Sequence, residues 1–133
     1  MPQMDMDHTA VEARDDTLAR IGDITDFHIF HNEVMVAIYM RPERTKSGLI
    51  LTDNTRDEDR FQGKVGLVVK MGNEAFNDPS GNWFRDVNVK IGDWVWFRAS
   101  DGFSLSINGR DGHCRVLKDT SIRGTLPRPD MIW

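Results

Sequence analysis

The sequence predicts an all-β domain, an antiparallel sandwich or a small barrel, that carries one short helix near its N-terminus. Three observations support this. The chain has 133 residues, which is enough for one domain. From residue 27 onward, apolar and polar residues alternate with a period of two, and turn-forming dipeptides separate the alternating runs. With 39% of its residues hydrophobic, the chain can build one compact core, and its length leaves no room for a second domain.

Composition and charge exclude several classes of protein. The formal net charge is −4, whereas proteins that bind nucleic acid usually present a basic surface. No apolar run approaches the roughly 20 residues that span a membrane, and the acidic N-terminus lacks the apolar core of a secretory signal. Cys114 is the only cysteine, so no disulfide forms within the chain. We therefore expect a cytoplasmic protein that binds neither nucleic acid nor a membrane.

The helix is predicted over residues 10–21. Thr9 and Glu12 form a capping box, in which each side chain accepts a hydrogen bond from a backbone N–H at the start of the helix. Gly22 follows as a C-terminal stop. Three residues near helical spacing are expected to form the apolar face: Val11, Leu18 and Ile21. Because 12 residues form only a marginal helix in water, this segment should dock on the domain or fray.

Five short strands are predicted in the remainder of the chain. Residues 34–39 alternate as in a strand with one buried face. The other four candidates are residues 64–71, 93–97, 103–107 and 114–118, which are rich in β-branched or aromatic residues or alternate with a period of two. The dipeptides Asp101-Gly102 and Asn108-Gly109 tolerate the positive φ of a tight hairpin turn.

Two segments, 41–62 and 73–87, do not fit the strand pattern and are predicted to be long loops. Loops of more than about 12–15 residues are uncommon and are often functional. The second contains two aromatic residues that we expect to be exposed, Trp83 and Phe84. The first is polar and charged except for one aliphatic island, Leu49, Ile50 and Leu51.

The aliphatic island has two interpretations. It can be a docking peptide, in which a few apolar anchors of a flexible loop fold on a partner. It can equally be a short buried strand. The flanking segments, 45–48 and 52–60, are too polar to be buried, and this favours docking.

The sequence offers no constellation for catalysis or for a metal. His28 and His31 would lie on opposite faces of a strand, and the adjacent His113 and Cys114 diverge in the same way. The acidic run at 57–59 lacks the glycine and the ligand spacing of a calcium loop. Phosphate loops, nucleophile elbows and zinc motifs are absent from the sequence. We therefore expect a protein that is not an enzyme and needs no cofactor or metal.

Four segments match one known family in their order and separation. They are HNEVMV at 31–36, TKSGLILT at 45–52, QGKV with VVKMGN at 62–73, and NVKIGDWVWF at 88–97. The last contains a hydrophobic-Lys-hydrophobic-Gly-Asp entry into a strand, which is the most recognisable motif of that family. Together they resemble the co-chaperonins of the GroES type over about residues 27–124.

The resemblance implies a partly open β-barrel that assembles into a seven-membered ring and caps an ATP-driven bacterial chaperonin. It assigns residues 41–62 to the mobile loop of that family. The chaperonin-binding residues would be Gly48, Leu49, Ile50 and Leu51. It also assigns residues 73–87 to the roof hairpin of the dome, which includes Asn82, Trp83 and Phe84.

The chain also departs from the family at both ends. Residues 1–26 form an extension without a bacterial counterpart, residues 27–124 form the barrel domain, and residues 125–133 form a tail in place of an apolar strand. Pro127 and Pro129 each remove a ladder donor, which argues against ring closure through that strand. A divergent and extended copy suggests a bacteriophage-encoded protein acting in the host cytoplasm. The alternative function is a virion decoration or cement protein on the same fold, with the major capsid protein as its partner.

Overall fold

The computed structural model describes residues 9–40, 63–108 and 112–132. It contains one α-helix and six strands, with a 3₁₀ turn at Asp119–Ser121 and another at Pro129–Met131. The elements are α1 (Ala10–Ile21), β1 (Glu33–Ile38), β2 (Val65–Met71), β3 (Trp94–Trp96), β4 (Phe103–Ser106), β5 (His113–Lys118) and β6 (Gly124–Leu126). Five of these strands and the helix confirm the sequence prediction to within a residue or two.

The six strands form one antiparallel sheet in the order β4-β5-β1-β2-β3-β6. β1 lies between β5 and β2, and its register pairs Ala37 with both Cys114 and Leu67. Among the described residues, β4 and β6 form the two edges of the sheet. This arrangement confirms the small all-β class, a mostly antiparallel and partly open fold with one short helix.

β1 is buried on both faces, although its alternating pattern predicted only one. Met35 and Ala37 belong to one apolar cluster, which includes Trp94 and residues of α1. Val34 and Val36 belong to a second cluster on the other face, with Phe97 and Leu117. All of the residues of β1 from Val34 to Ile38 are apolar, and such a continuous run is typical of a strand that is covered on both sides.

The buried face of α1 differs from the prediction. Val11 and Leu18 are 55% and 42% exposed, and only Ile21 of the three expected residues is buried. Ala13 and Thr17 take their place, and the Thr17 hydroxyl donates to the Ala13 carbonyl at 2.8 Å. Small side chains let the helix backbone approach the sheet closely, which explains why the more apolar stripe faces outward. Both termini of the helix lie where the sequence predicted them. At the N-terminus the Glu12 N–H donates to Thr9 Oγ1, and after the C-terminus Gly22 adopts a φ of 67°.

The C-terminal residues contain a strand that the sequence did not predict. Gly124–Leu126 forms β6 and pairs with β3, and the two prolines follow directly after it. Asp130 is fully buried and accepts a hydrogen bond from Arg128 at 2.9 Å. The prolines therefore end β6 without preventing it, because neither one has to donate within the three paired residues.

Gly72 ends β2 at a point where two backbone segments meet closely. A Cβ atom on Gly72 would lie 2.2 Å from the His31 carbonyl oxygen and 2.7 Å from Phe30 backbone atoms. We predict that Gly72→Ala lowers the free energy of unfolding by about 1–3 kcal/mol, because the backbone has to shift. Urea titration would measure this, with Asn73→Ala on the exposed neighbour as the control. Equal midpoints for the two variants would contradict the prediction.

Candidate functional site

The four residues predicted to bind a chaperonin, Gly48, Leu49, Ile50 and Leu51, lie outside the described residues. The structure does describe the two points where the 41–62 segment joins the barrel, at Met40 and Gly63. We call residues 38–40 and 63–66 the loop-end frame. They place both ends of this segment on the adjacent strands β1 and β2.

The loop-end frame is firmly held. The Tyr39 N–H donates to the Val65 carbonyl at 3.0 Å, and Ile38 pairs with Gly66. Tyr39 is 4% exposed, and its ring meets the Trp94 ring edge-on at 5.7 Å between centroids. Aromatic pairs of this geometry add about 0.5–1.5 kcal/mol beyond the area they bury. The backbone at both ends of the 41–62 segment is therefore hydrogen-bonded into the sheet.

The predicted roof hairpin, residues 73–87, is a succession of turns in the structure rather than a pair of strands. Trp83 is 72% exposed, as the sequence predicted. Phe84 is only half-buried, because its ring packs edge-on against Phe76 at 5.5 Å. The Asn82 side-chain oxygen accepts a hydrogen bond from the Arg85 guanidinium at 3.2 Å.

Asp78 organises the turn that presents Trp83. Its carboxylate accepts hydrogen bonds from the Ser80 hydroxyl and from the backbone N–H groups of Trp83, Ser80 and Asn82. These bonds, that of the Ser80 hydroxyl foremost, hold the pKa of the Asp78 carboxyl below its ordinary value. The sequence indicated a loop here but not the residue that shapes it.

A buried carboxylate, Asp119, anchors the roof segment to the barrel. It is 3% exposed; one oxygen accepts from the Asn32 side-chain amide at 3.2 Å and the other from the Phe76 N–H at 3.0 Å. Its own N–H donates to the Asn32 carbonyl at 3.0 Å. Three separate chain segments thus meet at one side chain, and this role could not be predicted from the sequence because the partners are remote along the chain.

Removing the Asp119 carboxylate should loosen the roof segment. We predict that Asp119→Ala costs about 1–3 kcal/mol of unfolding free energy, since it leaves two donors without their acceptor. Hydrogen exchange at the Phe76 amide should become faster at the same time. Asp86→Ala, an exposed carboxylate of the same region, is the matched control. Unchanged exchange at Phe76 would show that Asp119 is not the anchor.

A cleft of about 460 Å³ lies between the roof segment and residues 119–125. Its apolar lining includes Phe76, Phe84 and Ile122, and Gly124 and Thr125 of the edge strand β6 form one side. The cleft therefore opens next to β6, which is an edge of the sheet among the described residues.

Two chemical features of the described residues are the placement of their metal-ligating side chains and the burial of Cys114. Within the described ranges no group of three or more His, Cys, Asp and Glu side chains is placed to hold a metal ion. Burial raises the pKa of the Cys114 thiol to about 12, so that it stays protonated at neutral pH. No helix in the described part of the chain is long and apolar enough to cross a membrane.

Comparison with known proteins gives consistent results. The family described as "Chaperonin 10 Kd subunit" matches residues 26–126. The chain is 32% identical over 98 residues to the co-chaperonin GroES of Hyphomonas neptunium, which covers 74% of this chain and 94% of that protein. It is 30% identical over 102 residues to co-chaperonin GroES 1 of Rhizobium meliloti, covering 77% and 96%. A GroES of Halothermothrix orenii is 31% identical over 89 residues, covering 67% and 86%.

Proposed function

Because the chain belongs to the chaperonin 10 Kd subunit family, we propose that it acts as a co-chaperonin, a non-catalytic lid that binds a chaperonin and assists protein folding. The observation that carries the proposal is the match over residues 26–126, which covers the barrel, the roof segment and the 41–62 segment together. The proposed anchors are Leu49, Ile50 and Leu51, preceded by Gly48. We expect the protein to act in the cytoplasm, alongside its chaperonin.

The energetics of the proposed anchors favour weak single contacts. Burying three aliphatic side chains contributes about 5–9 kcal/mol, at about 1.5–3 kcal/mol each. Ordering each loop residue costs about 1–2 kcal/mol, so one loop of some ten ordered residues binds weakly. Several loops on one homo-oligomer make the later contacts intramolecular, which raises the affinity by about 10²–10⁴. Such a lid binds firmly and still dissociates when the nucleotide state of its partner changes.

Surface features at and near β6 support the proposed ring of seven subunits. β6 is an edge strand, paired with β3 on one side only among the described residues, and exposed edges readily pair with another chain. The cleft beside β6 supplies an apolar surface at the same place. Phe30, which is 67% exposed, is an apolar side chain that a neighbouring subunit could cover. The virion role considered from the sequence receives no support from the relatives described above.

Size-exclusion co-elution with a bacterial chaperonin tests the proposed function. The full-length protein would be mixed with the chaperonin in the presence of ATP, of ADP and of no nucleotide. We expect co-elution that depends on nucleotide. Absence of co-elution under all three conditions, with the chaperonin of the native host, would overturn the proposal and would favour a scaffold role instead.

A further inference from the structure

Asn108 joins the N-terminal helix to the barrel. Its side-chain amide nitrogen donates to the Ile21 carbonyl at 2.7 Å and to the Asp23 carbonyl at 2.8 Å. The last carbonyl groups of a helix have no partner within the helix, so a donor from another element satisfies them. Asn108 adopts a φ of 56° after β4, a conformation that asparagine tolerates better than most residues. One side chain thus holds the C-terminal end of α1 across 85 or more positions of the sequence.

The sheet register places this contact at the loop-end frame. Cys114 pairs with Ala37, and the next residues along β1 lead into the frame. β5 also pairs with β4, and just beyond the last pair of these two strands the Ile107 N–H donates to the Gly112 carbonyl. This bond closes the hairpin directly before Asn108. The tip of the β4–β5 hairpin and both ends of the 41–62 segment therefore lie at the same end of the sheet.

The attachment of α1 to the sheet depends mainly on the C-terminal turn of the helix. Of its buried residues, Ala13 and Thr17 are small, and only Ile21 is a large apolar side chain. Ile21 is 1% exposed and packs in the same cluster as Tyr39 and Ile107. The hydrogen bonds of Asn108 and the packing of Ile21 thus act on the same turn of the helix.

We propose that Asn108 is a positioning residue: it latches α1 against the loop-end frame and thereby stiffens the backbone that carries the chaperonin-binding segment. The inference rests on the proposed function for its effect on binding. A stiffer attachment reduces the conformational freedom that is lost when a loop binds its partner. α1 lies outside residues 26–126, the region matched to the family, whereas Asn108 lies within it.

The test compares two variants of the full-length protein. Asn108→Gly removes both hydrogen bonds and keeps the positive φ without strain. Asn108→Asp keeps the shape but places a negatively charged acceptor against two carbonyl oxygens at the C-terminus of a helix, where negative charge is unfavourable. We expect faster hydrogen exchange at the Tyr39 amide in both variants. We also expect chaperonin binding to weaken about five- to thirtyfold for Asn108→Gly, the factor that ordering one more residue costs, and further for Asn108→Asp.

Two controls separate the latch from general destabilisation. Ser106→Ala changes an exposed side chain of the same hairpin and should alter neither readout. Val34→Ala creates a cavity in the second core cluster, near the opposite end of β1, and should lower stability without weakening chaperonin binding.

Each outcome decides a different claim. If the wild type binds the chaperonin and Asn108→Gly binds equally well, the inference is overturned while the proposed function stands. If Val34→Ala weakens binding as much as Asn108→Gly, the effect is one of stability and the positioning role is rejected. If the wild type does not bind, the proposed function fails. The exchange rate at Tyr39 then still decides the latch, and an unchanged rate in Asn108→Gly overturns it.

Discussion

Ile50→Asp is expected to abolish the binding of this protein to its chaperonin while leaving the barrel folded. Ile50 is the central residue of the proposed anchor, and losing one buried isoleucine costs about 1.5–3 kcal/mol per loop. Because 1.4 kcal/mol corresponds to a factor of ten, each loop weakens by about ten- to a hundredfold, before the cost of burying a carboxylate is added. In an oligomer every loop carries the substitution, so the factors by which the affinity falls multiply, since multivalent binding depends on every contact.

The measurement is co-elution with the chaperonin in the presence of nucleotide, together with circular dichroism and the oligomer size of the variant alone. Thr55→Asp introduces the same charge among the polar residues that follow the anchor and should bind like the wild type. Binding by Ile50→Asp at wild-type affinity would show that the anchor has been misplaced. A variant that fails to fold would instead support the alternative interpretation of residues 49–51 as a short buried strand.

Trp94→Ala is expected to destabilise the domain by about 3–5 kcal/mol, the usual range for deleting a buried aromatic side chain. Trp94 is 5% exposed, lies in the first core cluster and packs edge-on against Tyr39. Domains of this size have about 5–15 kcal/mol of unfolding free energy in total, so the variant should be close to the limit of folding. The loss also removes the support of Tyr39 in the loop-end frame.

Denaturant titration with a common probe such as far-UV circular dichroism would measure the loss. Trp83→Ala is the matched control, because Trp83 is 72% exposed and its removal should change stability by no more than about 0.5 kcal/mol. Trp94→Phe should retain part of the stability by keeping an aromatic ring in the core. Similar midpoints for Trp94→Ala and Trp83→Ala would contradict the position assigned to β3.

Part of the candidate site could be predicted from the sequence. The motif at 88–97 and its neighbours indicated the family, and the match over residues 26–126 confirms it. The exposure of Trp83 followed from the polar residues around it. The anchoring role of Asp119 and the latch at Asn108 could not be predicted, because each depends on partners tens of residues away, such as Asn32 and Ile21.

The sequence by itself determined the features that depend on neighbouring residues. The bounds of α1 follow from Thr9 and Gly22, and the position of the β4–β5 hairpin follows from the tolerance of Asn108 for a positive φ, here 56°. The hairpin predicted at Asp101-Gly102 was wrong: Gly102 does adopt a positive φ of 72°, but β3 and β4 on either side of it pair with other strands. The strand periods are local in the same sense, because the pleat alternates side chains whatever lies opposite.

Only the tertiary structure decided which surfaces are covered. α1 buries Ala13 and Thr17 rather than Val11 and Leu18, because close approach to the sheet favours small side chains on the contacting face. β1 is buried on both faces because elements distant in sequence cover each one. Gly124–Leu126 becomes a strand because β3 offers it an open edge, which is a property of the partner and not of these three residues.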